Sequence, residues 1–386
     1  MNATQRTGLM QYWRVVQQEL LPELRYEIGE MTPRLEKLIH TLEWVRIDEF
    51  VRTTWRFRGR PPHDRVSLAS AFVAKAVMGL DTTAALIERL TMDRALRRIC
   101  GFSMWRKLPS EATFSRAFEE FAEDRLAERT HEALVSEMLG SSLIGHISRD
   151  GTAIEAREKP ASKEKAVVGT NPAAKEEWIP AEAVPQVEPI KARKGRPRKG
   201  EVRPPKMTKI QRQKAQTLKE ILAELPQECD RGTKCNAQGY RNSWNGYKLH
   251  MDTADCGVIV SALLTSASVH DSQTAIPLSI MTGKRVTNCY DLMDAAYCSD
   301  ELRAYSRSLG HVPLIDHNPR KGEKIEFAPH EAERYKERSQ AERSNARLKD
   351  EFGGRDIWVR GPQKVMSHLM FGVLALTADQ LMRLLL

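Results

Sequence analysis

The feature that most limits how this chain can fold is a change of texture at Leu143. Before it, apolar residues recur at helical spacing with brief interruptions. After it, short apolar runs bounded by turn residues alternate with helical stretches. "LIGHISRDGTAIEA" reads as a strand, a glycine turn and the onset of a second strand. "NGYKLHMDTADCGVIVSALLTSA" reads as a hairpin turning at Asp255-Cys256-Gly257. A helix is expected from Ser272 to Met281, a strand through "RVTNCYDLM", a helix through "DELRAYSRSL" and a strand at "HVPLI". The long stretch "PHEAERYKERSQAERSNARLKDEFG" then reads as one closing helix. Three strands followed by helix, strand, helix, strand and helix specify an α/β fold, a mixed sheet flanked by helices.

Residues 1–140 are expected to form a separate all-α domain of helix-turn-helix-like character, and residues 141–386 the α/β domain. Asp81 can cap "DTTAALIERL", and Asp93 can cap "DRALRRIC" with Gly101 as its stop. Ser110 starts "SEATFSRAFEEFAEDRLAERTHEALVSEML", whose first turns carry Thr113, Ser115 and Arg116, where a recognition helix would meet DNA. The same pattern fits a plain helical bundle with charged outer faces. Between about residues 159 and 238 the chain is rich in Pro, Ala, Lys and Glu and weak in apolar pattern. It reads as a basic, largely disordered insertion with one helix near Lys206 to Leu225.

Charge narrows the partners. Lys+Arg number 60 against 51 Asp+Glu, a net +9 with a pI near 9.2, which favours polyanions because each neutralised phosphate releases counterions. Six cysteines without CxxC spacing read as reduced, unpaired thiols rather than a zinc site at Cys229 and Cys235. Met1 to Leu20 is polar and interrupted by charge, so no signal peptide is expected. The apolar run from Val365 to Leu386 is broken by His368, Asp379 and Arg383, and is expected to pack on a core rather than cross a membrane.

Phosphoryl transfer on a polyanion needs metal ions that activate an attacking oxygen and neutralise charge, held by carboxylates converging from different elements. Asp150 on the first strand, Asp294 just after the fourth and Glu342 on the closing helix meet that requirement, although each alone reads more readily as a surface acid than as a ligand. Asp291, close before Asp294, competes with it. His270-Asp271 is expected to order a loop. The spacing Tyr335-x2-Arg338-x3-Glu342-x6-Lys349 is more telling. At 100° per residue the four fall at about 0°, −60°, −20° and −40°, one narrow helical face. Glu342 would bind metal there, while Arg338 and Lys349 hold phosphates along the same line.

That stripe resembles the Y-R-E-K signature of bacterial insertion-sequence transposases of the DDE type. "SRDGTAIEA", "NGYKLH", "TSASVHDS" and "MDAAYCSDELR", the last carrying Asp294 and Tyr297 as Asp-x-x-Tyr, resemble the family's other catalytic segments. "GRPPHDRVSLASAFVAKAV", "LRRICGF" and "LPSEATFSRAF" resemble its helical N-terminal domain. The resemblance implies a ribonuclease H-like catalytic domain with Asp150, Asp294 and Glu342 as ligands of Mg²⁺ or Mn²⁺, two ions being expected. Tyr335, Arg338 and Lys349 would face DNA. It further implies water attack at transposon ends and transfer of the freed 3′-hydroxyl into target DNA. The partners would be double-stranded DNA and further copies of the chain, in the bacterial cytoplasm at the nucleoid. Some relatives carry a β-rich insertion between the second aspartate and the glutamate. Only a strand, a helix and another strand are expected here, which leaves hairpin formation on flanking ends without its usual device. "ARKGRPRKG" resembles an AT-hook, with Arg196 and Arg198 reaching a narrow minor groove, or else is a basic linker. Two other functions share these features: a DNA-binding regulator without catalysis, and a nuclease that cuts without joining.

Overall fold

Short polar caps set the helix starts in the first part of the chain. Thr32, followed by Pro33, accepts a hydrogen bond from the Leu35 amide and opens α1 (Pro33–Val45). Asp64 accepts from the Val66 and Ser67 amides at the head of α2 (Arg65–Val77). Thr82, rather than Asp81, caps α3 (Thr83–Met92), and Asp93 caps α4 (Arg94–Ile99). The stretch expected as one helix from Ser110 is two, α5 (Glu111–Glu123) and α6 (Leu126–Leu139). Arg125 separates them in the left-handed region at φ 52°, and Arg129 folds back onto the Asp124 carbonyl. The computed structural model describes residues 31–52, 62–160, 207–235, 239–319 and 323–384.

The sheet is mixed. β1 (Leu143–Glu155) pairs antiparallel with β3 (Arg241–Ala254) and parallel with β5 (Thr287–Met293). β4 (Ile259–Ser266) runs antiparallel along the later part of β3, and β6 (Val312–Ile315) parallel along β5. Three antiparallel strands followed by two parallel ones, in the order β4-β3-β1-β5-β6, is the ribonuclease H-like arrangement. β1 is continuous, without the expected glycine turn. Gly151 lies opposite His250, and a Cβ on it would sit 2.9 Å from the His250 Nδ1. The glycine marks the close approach of an imidazole, not a reversal.

Part of the stretch read as an insertion belongs to the fold. α7 (Lys209–Gln213) and α8 (Leu218–Glu224) precede β2 (Asp230–Cys235), which pairs with the first part of β3. Its few apolar residues are well placed: Ile221 and Leu225 are buried with α9 (Ala275–Gly283) and α10 (Asp300–Ser308) on one side of the sheet. The closing helix is also divided. α11 (Pro329–Tyr335) and α12 (Ser339–Glu351) are joined by a 3₁₀ turn at Lys336–Arg338. Between Asp294 and Glu342 therefore lie α10, β6 and α11, with no second strand among the described residues.

The final helix α13 (Pro362–Arg383) packs against α1, α2, α5, α6 and β4, so the helices before residue 140 and the sheet after it share one hydrophobic core. It is long and apolar enough to cross a membrane by length and composition, but most of it is buried inside the fold. Phe371 sits among Phe72 and Phe118. The polar residues that interrupt α13 are all engaged: His368 on the Gly353 carbonyl, and Asp379 with Lys37, Arg347 and Arg383.

Beneath the sheet, Arg149 donates two 2.7 Å hydrogen bonds to Asp252, across β1 and β3, with both residues at most 1% exposed. Thr282 at the end of α9 donates to the same carboxylate. Removing one partner leaves a bare buried charge. Asp252→Ala should therefore cost about 3–5 kcal/mol, whereas the double variant Arg149→Met/Asp252→Leu should lose much less. Urea unfolding midpoints measure both. Equal losses would mean that the pair is not a closed unit.

Candidate active site

Strand register brings the first two acids together. Arg149 on β1 lies beside Met293 on β5, so Asp150, midway along β1, and Asp294, just past the end of β5, follow side by side on neighbouring strands. Asp294 is the cap of a 3₁₀ turn at Ala295–Tyr297, its Oδ1 accepting from the Ala296 amide at 2.9 Å. Asp291 is excluded from this site by its own bonds. It is buried and bonded to Ser306, His311 and Asn288; burial raises its carboxyl, but the His311 and Ser306 bonds and the Arg149 charge hold it below the usual carboxylate range.

The segment from α11 to α12 reaches the same place. Tyr335 donates from its hydroxyl to the Met293 carbonyl at 3.0 Å, and its ring lies against Phe327. Its polar atom is thus engaged on β5 rather than presented outward to DNA. Arg338 stands between carboxylates: it bonds Glu342, and its Nη1 is 3.9 Å from the Asp150 Oδ1. Asn345, one helical turn beyond Glu342, donates to the Asp150 Oδ2 at 2.8 Å. Glu342 is 58% exposed and held by Arg338 rather than gathered against the two aspartates. The expected convergence of three acids is therefore realised for two. Among the described residues, no group of three or more His, Cys, Asp or Glu is close enough to hold a metal ion. The 3₁₀ turn displaces Tyr335 from a single continuous stripe, and the Arg338 guanidinium supplies the nearest positive charge.

The electrostatics of the aspartate pair fit a cation. Burial, then repulsion from Asp294, push Asp150 up to about 6; Arg338 and Lys234 offset part of this. Burial and the Asp271 carboxylate likewise raise Asp294, against the Ala296 amide and Arg338. Two desolvated carboxylates side by side lack compensating charge, and a divalent ion supplies it. Lys349 is half-buried, and burial with the neighbouring Arg355 pushes its ammonium down. Lys349 and Lys234, on β2, thus lie close enough to act on each other, and Lys234 acts on both aspartates.

Several neighbours were not singled out in the sequence. Lys234 fell in the stretch read as an insertion. Asn345 had a signal, because it stands seven residues after Arg338 and so shares its helical face. Asp271, expected only to order a loop, bonds Lys248 at 2.9 Å and lies 4.0 Å from the fully buried His250. Burial pushes that imidazole down to about 4. Tyr297, which the Asp-x-x-Tyr segment did single out, is fully buried, and the Asp271, Asp150 and Asp294 carboxylates act on its hydroxyl.

The other expected DNA contacts stand elsewhere. Ser115 and Arg116 are exposed on α5 and Thr113 is half-buried. The same helix carries Glu111, Glu119, Glu120 and Glu123. Arg196 and Arg198 lie outside the described residues.

Residues 208–378 match the family Transposase DDE domain, and residues 23–120 match a second family, Transposase domain (DUF772). No curated protein and no solved structure matches the chain.

Asp150 holds its proton more tightly folded than unfolded, so its stabilising contribution is complete below about pH 4 and is lost as pH rises through about 6. The rise from 3.8 to about 6 corresponds to ~3 kcal/mol. In metal-free protein, Asp150→Asn should therefore raise stability near pH 8 by up to about 3 kcal/mol and change it little near pH 4. Thermal melts at the two pH values decide this. A variant less stable than its parent near pH 8 would contradict a repulsive pair.

Proposed function

The chain belongs to the insertion-sequence transposases of the DDE type, and on that premise we propose that it hydrolyses phosphodiester bonds at transposon ends and joins the freed 3′-hydroxyl to target DNA. The reading rests above all on the juxtaposition of Asp150 and Asp294, two partly buried carboxylates with too little positive charge around them. Asp150, Asp294 and Glu342 would hold the metal. When bound, Mg²⁺ or Mn²⁺ supplies activation of an attacking oxygen and neutralises charge on the phosphoryl group.

The remaining work falls to the chain itself. Asn345 keeps the Asp150 carboxylate turned in one direction, and the Ala296 amide does the same for Asp294. Tyr335 fixes the entry of the helical segment to the carbonyl just before Asp294. Arg338 serves as counter-ion to Asp150 and Glu342 in the free protein. On binding DNA it would exchange Glu342 for a phosphate, which frees that carboxylate to turn toward the aspartates. Lys349 and Lys234 would neutralise phosphates on either side of the cut, as half-buried and exposed ammonium groups can. A chain that only bound DNA would gain nothing from carboxylates that repel phosphate, which favours the catalytic reading.

Asp150→Asn, Asp294→Asn and Glu342→Gln should each lower cleavage by at least about 100-fold, the scale of losing one charge-stabilising group. Binding of the same DNA should be retained or tightened. The substrate is linear DNA carrying the sequences that flank the gene, with Mg²⁺ present. Parent-like cleavage by any of the three removes that residue from the site. Cleaved ends that never join a second duplex would reduce the activity to that of a nuclease.

A further inference from the structure

Residues 89–107 carry six basic side chains, Arg89, Arg94, Arg97, Arg98, Arg106 and Lys107, against the single acid Asp93. That acid is already engaged on the Leu96 amide and on Arg89. The adjoining helix α5 has the opposite balance, four glutamates against Arg116. Two neighbouring elements thus present faces of opposite sign, and only the first suits a polyanion.

The basic segment also presents an aromatic ring on a fixed loop. After α4 the chain reverses at Gly101, φ +84°. The Phe102 amide donates to the Arg97 carbonyl and the Gly101 amide to the Arg98 carbonyl. That is a Schellman end, and Phe102 is its buried apolar anchor, near the ring of Phe114. The Arg97 guanidinium then turns back and binds the carbonyls of Ser103 and Arg106, closing the loop from within. Pro109 is buried at its far end. At the tip stands Trp105, 92% exposed, flanked by exposed Arg106 and Lys107. A cleft of about 660 Å³ runs along the same loop, with Arg97, Ser103, Arg106 and Lys107 in its wall and the single acid Asp64, which is engaged on the head of α2.

An indole held out in water on a pre-formed loop loses little entropy on meeting a partner, and its flanking cations select an anionic one. A second copy of the same face would set like charges against each other. We propose that this loop is a DNA-contacting surface on which Trp105 stacks against an unpaired base at a DNA end, while Arg106 and Lys107 neutralise the adjoining phosphates. The inference rests on the DNA-processing reading above and adds to it the place that grips an opened end. Base stacking on an aromatic side chain needs an unpaired base, whereas cations contribute through the phosphates irrespective of sequence.

The test compares two labelled duplexes by fluorescence anisotropy with the full chain: one blunt, the other identical but ending in a short run of unpaired thymidines. Trp105→Ala should weaken binding to the tailed duplex by about tenfold or more and to the blunt one only slightly. Trp105→Phe should restore most of the loss, and neither should alter thermal stability, because the ring is exposed. Arg106→Ala and Lys107→Ala should weaken both duplexes alike and lower the salt slope by about one each. Equal binding by Trp105→Ala and the parent, or equal losses on both duplexes, overturns the inference alone. A change in oligomeric mass with DNA affinity unaltered overturns it in favour of self-association. Failure of the unaltered chain to bind either duplex overturns it together with the reading on which it rests.

Discussion

The ion pair of Arg149 and Asp252 is the constraint on which the site depends. It lies wholly inside the protein, joins β1 to β3, and is extended by Thr282 to α9 and by a contact of Arg149 with the Met293 sulfur to β5. Such a pair adds little net stability, since desolvation consumes most of its attraction. It fixes register instead. Side chains alternate along a strand, so a slip of one residue would carry Asp150 to the other face. Arg149 is the residue before Asp150, and Met293 the residue before Asp294. The buried pair therefore holds Asp150, midway along β1, beside Asp294 at the end of the adjacent β5.

What is held in place is unfavourable by itself. Asp150 and Asp294 lie together in a partly buried setting that raises both, and Arg338, Lys234 and a few hydrogen-bond donors offset part of this. A fold can retain such a pair only where its framework resists relaxation, and the framework here is a central strand flanked on both edges. α13 supplies the rest: it lies between the N-terminal helices and the sheet, so the two parts of the chain cannot part without exposing a common core. Where repulsion is built in, a cation is the natural complement.

The order of strands and helices after Leu143 was legible because β-branched and apolar runs there alternate cleanly with turn residues. Asp150 and Asp294 were legible because each follows or ends such a run. Departures came where a tertiary contact outweighed a local signal. Gly151 reads as a turn until His250 is placed across it. Arg125 and the residues Lys336–Arg338 interrupt stretches whose periodicity is unbroken, because the interruption serves packing and not propensity. β2 and Lys234 sit in a polar stretch whose strand is paired only along β3, where few apolar residues are required. Glu342 shares a helical face with Arg338, as spacing implies, but spacing cannot tell whether a carboxylate turns to a metal or to its own arginine.

The proposed chemistry requires that Asp150 and Asp294 form a cation site. Calorimetric titration of Mn²⁺ into the full chain measures this without any DNA substrate. The parent should bind, with affinity falling about tenfold per pH unit below the titration of Asp150 near 6, because a proton must leave before the metal enters. Asp150→Asn and Asp294→Asn should abolish binding, and Glu342→Gln should only weaken it. Undiminished binding in Asp150→Asn and Asp294→Asn would place the metal elsewhere and leave the two aspartates without a cation.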